Sequence, residues 1–306
     1  METGARASED RDDAPASPST AGPPSTAAPP VAGSAATAAN AEWRAANRRH
    51  WDGVSAQHAA GDFYDLAGFR AGRDDLRPFE DAELGPVAGL DVVHLQCHLG
   101  TDTLSLARRG ARVVGLDVSG ASIEAARELA RSMGPAGAGA EFVRADVEDA
   151  VTALDGRTFD VVYTGIGALC WLPDLDRWAA VVSQLLRPGG ILYLVEIPTL
   201  VHAVWDDGRT LTGDIVGSRA TRDTYDTSYA GAAVPADGQV TYSRNWTVPE
   251  VATAVAGAGL RLELLAEHDV TDAPLPWMER GPDRLFRFPA GWPRFPVTYS
   301  LRARKT

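Results

Sequence analysis

Lysine is almost missing from this 306-residue chain: Lys305 is its single copy, while arginine is plentiful. That imbalance has the mark of codon composition rather than of chemistry. Positive charge is short overall, with 29 basic against 41 acidic residues and a net charge of −12. A nucleic-acid partner needs a basic face for its phosphates, so none is expected. A small anionic ligand is not excluded, because a few local arginines suffice. Cysteine is scarce too. Cys97 and Cys170 lie in core-like segments and suggest no disulfide framework. No run approaches the ~20 apolar residues of a membrane helix. Together these absences predict a cytoplasmic protein with no membrane partner. Metal-ligand spacing is also lacking: His94 and His98 flank a strand end rather than share a helix face.

Large apolar residues are almost absent from residues 1–40, which are rich in Ala, Pro, Ser, Thr and Gly. Such a stretch cannot bury enough surface to offset its ordering entropy, so a disordered tail is expected. Glu9, Asp10, Asp12 and Asp13 near its start, with no apolar stretch after them, do not suit a secretory signal. Residues 41–85 follow as an aromatic-rich helical cap, with Trp43, Asn47, His50, Trp51, Phe63, Tyr64 and Phe69.

From about residue 90 a strand–helix rhythm sets in. Short apolar runs at 91–96, 111–117, 140–145, 159–164 and 191–197 read as strands. Helices fit between them at 101–109, 121–132 (with Ser119 as N-cap) and 173–186. The alternation predicts an α/β fold with a parallel, doubly wound sheet over residues 86–306. After Pro198 the rhythm fails until Trp246, then resumes with a helix at 248–256 and strands at 260–268 and 296–304. A loop as long as 198–247 inside a compact domain is usually functional, here an active-site insertion.

Ligands of such sheets bind outside the carboxyl ends of the strands, and the first βα turn is the usual cofactor cradle. That turn reads His94-Leu-Gln-Cys-His-Leu-Gly100-Thr-Asp-Thr. Asp117, ending the second strand, is placed to bond ribose hydroxyls. Asp146, after the third, can accept from an adenine amino group. Either acid alone is as readily a solvated strand end or a helix cap; at the ends of consecutive strands they point to a cofactor.

Over residues 90–200 the chain resembles class I S-adenosylmethionine (SAM)-dependent methyltransferases, most specifically in Leu186-Arg-Pro-Gly-Gly190-Ile-Leu-Tyr-Leu. The segments Val113-Val-Gly-Leu-Asp117-Val-Ser119, Arg144-Ala-Asp146 and Phe159-Asp160-Val-Val also match. The glycine loop departs from the family. Gln96 and His98 stand in place of its first two glycines, His94 replaces the common acid, and Gly100 alone is kept. The Leu95-to-Ala107 run looks like a bacterial branch acting on small molecules, natural-product enzymes among them. The resemblance implies a seven-stranded Rossmann-like sheet of order 3-2-1-4-5-7-6. It also implies SAM as cofactor, held by Gln96, His98, Gly100, Asp117, Val118, Asp146, Val147 and Thr164.

On the acceptor side, Glu196 ends the fifth strand, where a carboxylate is placed to act as a base for methylation, for instance at carbon, or to stabilise a developing cation; a structural partner for an insertion residue is the equal alternative. His50, Trp51 and Trp171 are candidate pocket walls. His202, Trp205 and Trp246 bracket the insertion, and aromatic faces suit a sulfonium or carbocation. Two rival functions stand: a nicotinamide-dependent oxidoreductase using Asp117 on a ribose, and a SAM-binding protein without catalysis. The missing G-x-G-x-x-G spacing speaks against the first. The altered glycine loop keeps the second in play.

Overall fold

A computed structural model describes residues 34–204 and 207–306; the remainder of the proposed tail, and Trp205, lie outside it. Helix α1 (Ser34–Ala60) starts within the span read as a tail, because the alanine-rich stretch before Trp43 continues the helix that follows. The short helices α2 (Leu66–Arg70) and α3 (Glu80–Leu84) complete the cap.

The sheet begins with β1 (Asp91–Leu95), β2 (Arg112–Asp117), β3 (Glu141–Arg144), β4 (Phe159–Thr164) and β5 (Leu186–Glu196). Their apolar runs are buried on both faces, as a parallel sheet covered by helices demands. The connecting helices are α4 (Thr101–Arg108), α5 (Gly120–Ser132), α6 (Ala150–Ala153) and α7 (Leu175–Leu185). Local caps start two of them: Ser119 accepts from Ser122 N, and Asp174 from Arg177 N. Strand β5 starts earlier than the sequence suggests. Its pairing with β4 jumps from Phe159–Leu186 to Val161–Ile191, so the Pro-Gly-Gly segment sits in an irregularity of the strand.

Helix α8 (Thr199–Ala203) and a hairpin of β6 (Ala220–Thr224) and β7 (Val240–Arg244) fill the insertion. Helix α9 (Val248–Gly257) opens on a Thr247/Glu250 capping box and leads to β8 (Leu260–His268). Strands β9 (Val270–Thr271), β10 (Glu279–Arg280) and β11 (Phe286–Arg287) form a small separate sheet, and β12 (Thr298–Lys305) ends the chain. Strand β12 inserts antiparallel between β5 and β8, giving the order β3-β2-β1-β4-β5-β12-β8. This is the expected seven-stranded order. The solitary Lys305 serves the fold, its Nζ donating to Ser183 O and Leu186 O at 2.7 and 2.8 Å, where α7 leaves carbonyls unpaired.

Above the strand ends lies a roof that the rhythm of strands and helices does not reveal. Trp43 Nε1 in α1 donates to Trp171 O at 2.8 Å. Asn47 pairs with the β7 backbone as a neighbouring strand would, Nδ2 to Tyr242 O at 2.8 Å and Oδ1 from Tyr242 N at 2.9 Å. A third part of the roof, residues 272–297, packs its own cluster around Leu275, Trp277, Met278 and Val297. The alternation of strands and helices gives no hint of this unit; the density of Trp277, Phe286, Phe288, Trp292 and Phe295 was the available signal.

Candidate active site

Between strand ends and roof is a cavity of about 910 Å³. Gln96, His98, Asp117, Val118, Asp146, Val147 and Glu196 line it, as do Trp51, Trp171, His202 and Trp246. Gly100, Thr164 and His50 do not. Gly100 has φ +76° and starts α4, and a Cβ there would lie 2.7 Å from the Phe142 ring, so glycine is required by packing. Thr164 is fully buried in β4. His50 is buried behind the wall, its Nδ1 3.0 Å from Gly238 O and its ring stacked on Trp171.

Asp117 is 7% exposed. Its oxygens accept from His98 N at 2.9 Å and Ser119 N at 2.8 Å. Among the described ion pairs no guanidinium or ammonium neutralises it, and burial pushes its carboxyl up to about 6 against those two backbone bonds. A buried carboxylate in this state is completed by neutral donors such as ribose hydroxyls. Asp146 caps the following turn through Glu148 N at 3.0 Å, and Arg44 of α1 stands 3.6 Å away.

At the other side of the loop sits a charged cluster that sequence reasoning did not find. Arg77, almost wholly buried, donates to Glu80 at 2.8 Å and to Asp272 at 2.6 Å, with Asp102 at 3.7 Å. Tyr163 Oη donates to Glu80 at 2.7 Å. Burial pushes Asp102 up to about 7, although Arg77 pulls it down. Beside it Gly165 leaves a gap: a Cβ there would come within 3.1 Å of Asp102 Oδ2 and 3.3 Å of His94 Nε2. Gln96 Oε1 and Arg77 Nε are buried without a partner, and both residues line the cavity. An elongated ligand with hydroxyls in the middle and an amino-acid end fits these groups.

Glu196, 6% exposed, accepts from Gly167 N, Leu169 N and Ile197 N at 2.7, 2.9 and 2.8 Å. Burial raises its carboxyl and the backbone donors oppose the rise. It thus ties the β4 loop to the end of β5. Aromatic rings form the rest of the wall. Trp51 meets Trp171 edge-on at 5.1 Å, and Trp246 carries the Arg244 guanidinium 4.6 Å above its ring while its Nε1 is unpartnered. Burial lowers His202 to about 4. Acids outnumber arginines among the lining residues, ten against five, which suits a cationic ligand. No helix of the described residues is long and apolar enough to cross a membrane, and none of their His, Cys, Asp and Glu gather in a group of three or more that could hold a metal.

Residues 92–190 match a family described as a methyltransferase domain. The chain is 32% identical over 137 residues to a ubiquinone biosynthesis O-methyltransferase of Mesorhizobium japonicum, covering 44% of this chain and 49% of that protein. It is 34% identical over 137 residues to a trans-aconitate 2-methyltransferase of Deinococcus radiodurans, covering 41% and 48%. The chain thus spans about half the length of the curated relatives it matches. Among solved structures, an S-adenosylmethionine-dependent methyltransferase from Mesorhizobium loti superposes with a TM-score of 0.52 at 26% identity, over 74% of this chain and 96% of that one. The strand order and the matched segment leave no support for the oxidoreductase alternative. Residues 92–190 and the sheet built on them are a class I SAM-dependent methyltransferase domain, with SAM as its cofactor.

Proposed function

We propose that this protein transfers the methyl group of SAM to a small-molecule acceptor held between the strand ends and the roof. The observation that carries the reading is Asp117: a buried carboxylate at the end of β2, facing the cavity, bonded by two backbone amides and by no cation. When bound, SAM supplies an electrophilic methyl group on a sulfonium. Asp117 would hold its ribose hydroxyls, and Asp146 with the Val147 backbone its adenine. Arg77 and Asp102 would face its amino-acid end, with Gln96 and His98 along the loop between.

Methyl transfer is an in-line displacement, so the chain's main work is to orient the acceptor and exclude water. Trp51, Trp171 and Trp246 offer flat apolar walls for this, and the roof closes over them. Glu196 enters as a positioning residue, because two of its three backbone bonds, from Gly167 N and Leu169 N, fix residues 167–169 beneath the acceptor space. A role as base, as for carbon methylation in secondary metabolism, would fall to the acceptor position on Oε2 that these three bonds leave free. Trans-aconitate and ubiquinone precursors, the acceptors implied by the relatives' names, differ in charge.

The test is turnover of isotopically labelled SAM with a panel of phenols, amines and enolisable acceptors, in wild type and Glu196→Gln. A positioning Glu196 predicts a fall in melting temperature and in acceptor affinity together with the rate, since an amide nitrogen repels one of the three donors. Loss of rate by roughly 10²–10⁴ with stability and binding intact would assign the base to Glu196 instead. SAM binding without turnover on any acceptor class would support the binding-protein alternative.

A further inference from the structure

The turn from β1 into α4 holds two non-glycine residues at positive φ, Gln96 at 59° and His98 at 46°. Such backbone is strained for residues with a side chain and persists only where the surroundings enforce it. Gln96 is tied through Nε2 to Ala168 O at 2.9 Å. His98 is tied at three points: its amide to Asp117, its Nδ1 to Ser122 Oγ at 3.0 Å, and its Nε2 to His58 Nδ1 at 3.2 Å. His58 Nε2 in turn lies 2.8 Å from Ser228 Oγ, in the insertion.

The direction of every bond in this series follows from its far end. Ser55 Oγ donates to the Trp51 carbonyl at 2.6 Å, and a carbonyl can only accept. Its single proton is spent there, so across the 2.7 Å contact Ser122 donates to Ser55. Ser122 therefore has no proton left for His98, and His98 Nδ1 must be the donor. Burial pushes His98 down to about 3 and His58 to about 4, each helped by a neighbouring imidazole, so both rings are neutral near pH 7. Around the pair stand Trp51, Tyr64, Tyr229, His50 and Asp117; the described hydrogen bonds include none from a carboxylate to either ring. A neutral His98 with Nδ1–H has a bare Nε2, which accepts from His58 Nδ1–H. His58 Nε2 is then bare and accepts from Ser228, whose oxygen already receives Ala232 N at 3.1 Å.

We propose that Ser228, His58, His98, Ser122 and Ser55 form a one-way hydrogen-bonded chain by which the insertion holds the cofactor loop, making Ser228 and His58 positioning residues for cofactor binding. The second part rests on the methyltransferase reading above. Here side-chain bonds do the work that glycines do in a loop whose backbone alone sets its shape. The loop's strained conformation is thereby coupled through α1 to Ser228, far along the chain in the insertion.

Two measurements test it on the full-length protein. Long-range ¹H–¹⁵N correlation on histidine-labelled protein, assigned with single-site variants, should find His58 and His98 both as the Nδ1–H form at pH 7. The Nε2–H form or a charged ring at either position overturns the chain. Calorimetric titration with SAM should then find Ser228→Ala weakened roughly five- to tenfold, about one net hydrogen bond. Ser228→Thr, which keeps the hydroxyl, should recover the affinity, with all three melting temperatures within a few degrees. Equal affinity in Ser228→Ala overturns the positioning role. Absence of SAM binding in the wild type overturns the methyltransferase reading, while the tautomers still decide the chain itself.

Discussion

The floor and the roof of the cavity are built by different rules. The floor, strands β1–β5 with their turns, places its functional side chains by local pattern: Asp117 ends an apolar run, Asp146 ends the next, and each is fixed by a backbone amide within two residues. The roof is held by bonds between residues far apart in the chain, such as Trp43 to Trp171, Asn47 to Tyr242, His58 to Ser228 and Arg77 to Asp272. Local rules make the floor readable, and the family match, over residues 92–190, falls on it. Long-range bonds hide the roof from a reading of local pattern, and the roof lines the other side of the cavity.

Breaking a tie between the two should cost the most. Arg77→Ala leaves Glu80 buried without its cation and cuts the link to Asp272. Loss of one partner of a buried pair costs about 3–5 kcal/mol, to be read from denaturant unfolding. A loss below ~1 kcal/mol would mean that the cluster does not hold the roof to the sheet.

A change confined to the floor should separate binding from stability. Asp117→Ala is expected to weaken SAM by about 1–3 kcal/mol, because ribose hydroxyls lose their acceptor. The melting temperature should stay close to that of the wild type.

The same carboxyl predicts a pH dependence. Its proton is held more tightly in the folded protein, up to about 6, than in the unfolded chain. It therefore stabilises the cofactor-free fold at low pH, and that contribution is lost as pH rises from about 4 through 6. Asp102, pushed up to about 7, acts in the same direction over a wider window. Ribose donors favour the ionised Asp117, so SAM affinity should rise from pH 5 to 7 and then level off. Asp117→Asn should flatten that rise, as calorimetry at several pH values would show.

The smallest effect belongs to the lone lysine. Lys305→Met removes two charge-assisted bonds to the end of α7 and is expected to cost about 1 kcal/mol without touching SAM affinity.

The strands and the acids at their ends were legible because apolar runs and strand-end polar residues are local signals, while the order of the seven strands came from the family resemblance. Gly100, expected among the cofactor residues, does not line the cavity and instead makes room for Phe142. The bonds of Glu196 could not be read from its place at a strand end, since two of its three donors, Gly167 N and Leu169 N, come from a loop whose course the sequence does not dictate. Arg77 escaped notice because it sits in no motif, and Asp102, inside the first βα turn, because nothing local marks it; the meaning of Arg77 comes from Asp272, almost two hundred residues away. His98 was identified as a substitute for glycine, while the bonds that let it be one come from β2, α5 and α1, the last held in turn by the insertion.

If the strand ends, and Asp117 above all, form a SAM site, isothermal titration of the full-length protein with SAM will show it, run beside Asp117→Ala of verified fold. One-to-one binding is expected in the wild type. In the variant the affinity should be lower by roughly 5- to 150-fold, the equivalent of ~1–3 kcal/mol. No heat with SAM, or equal affinity in the two proteins, would mean that Asp117 and the strand ends do not hold the cofactor.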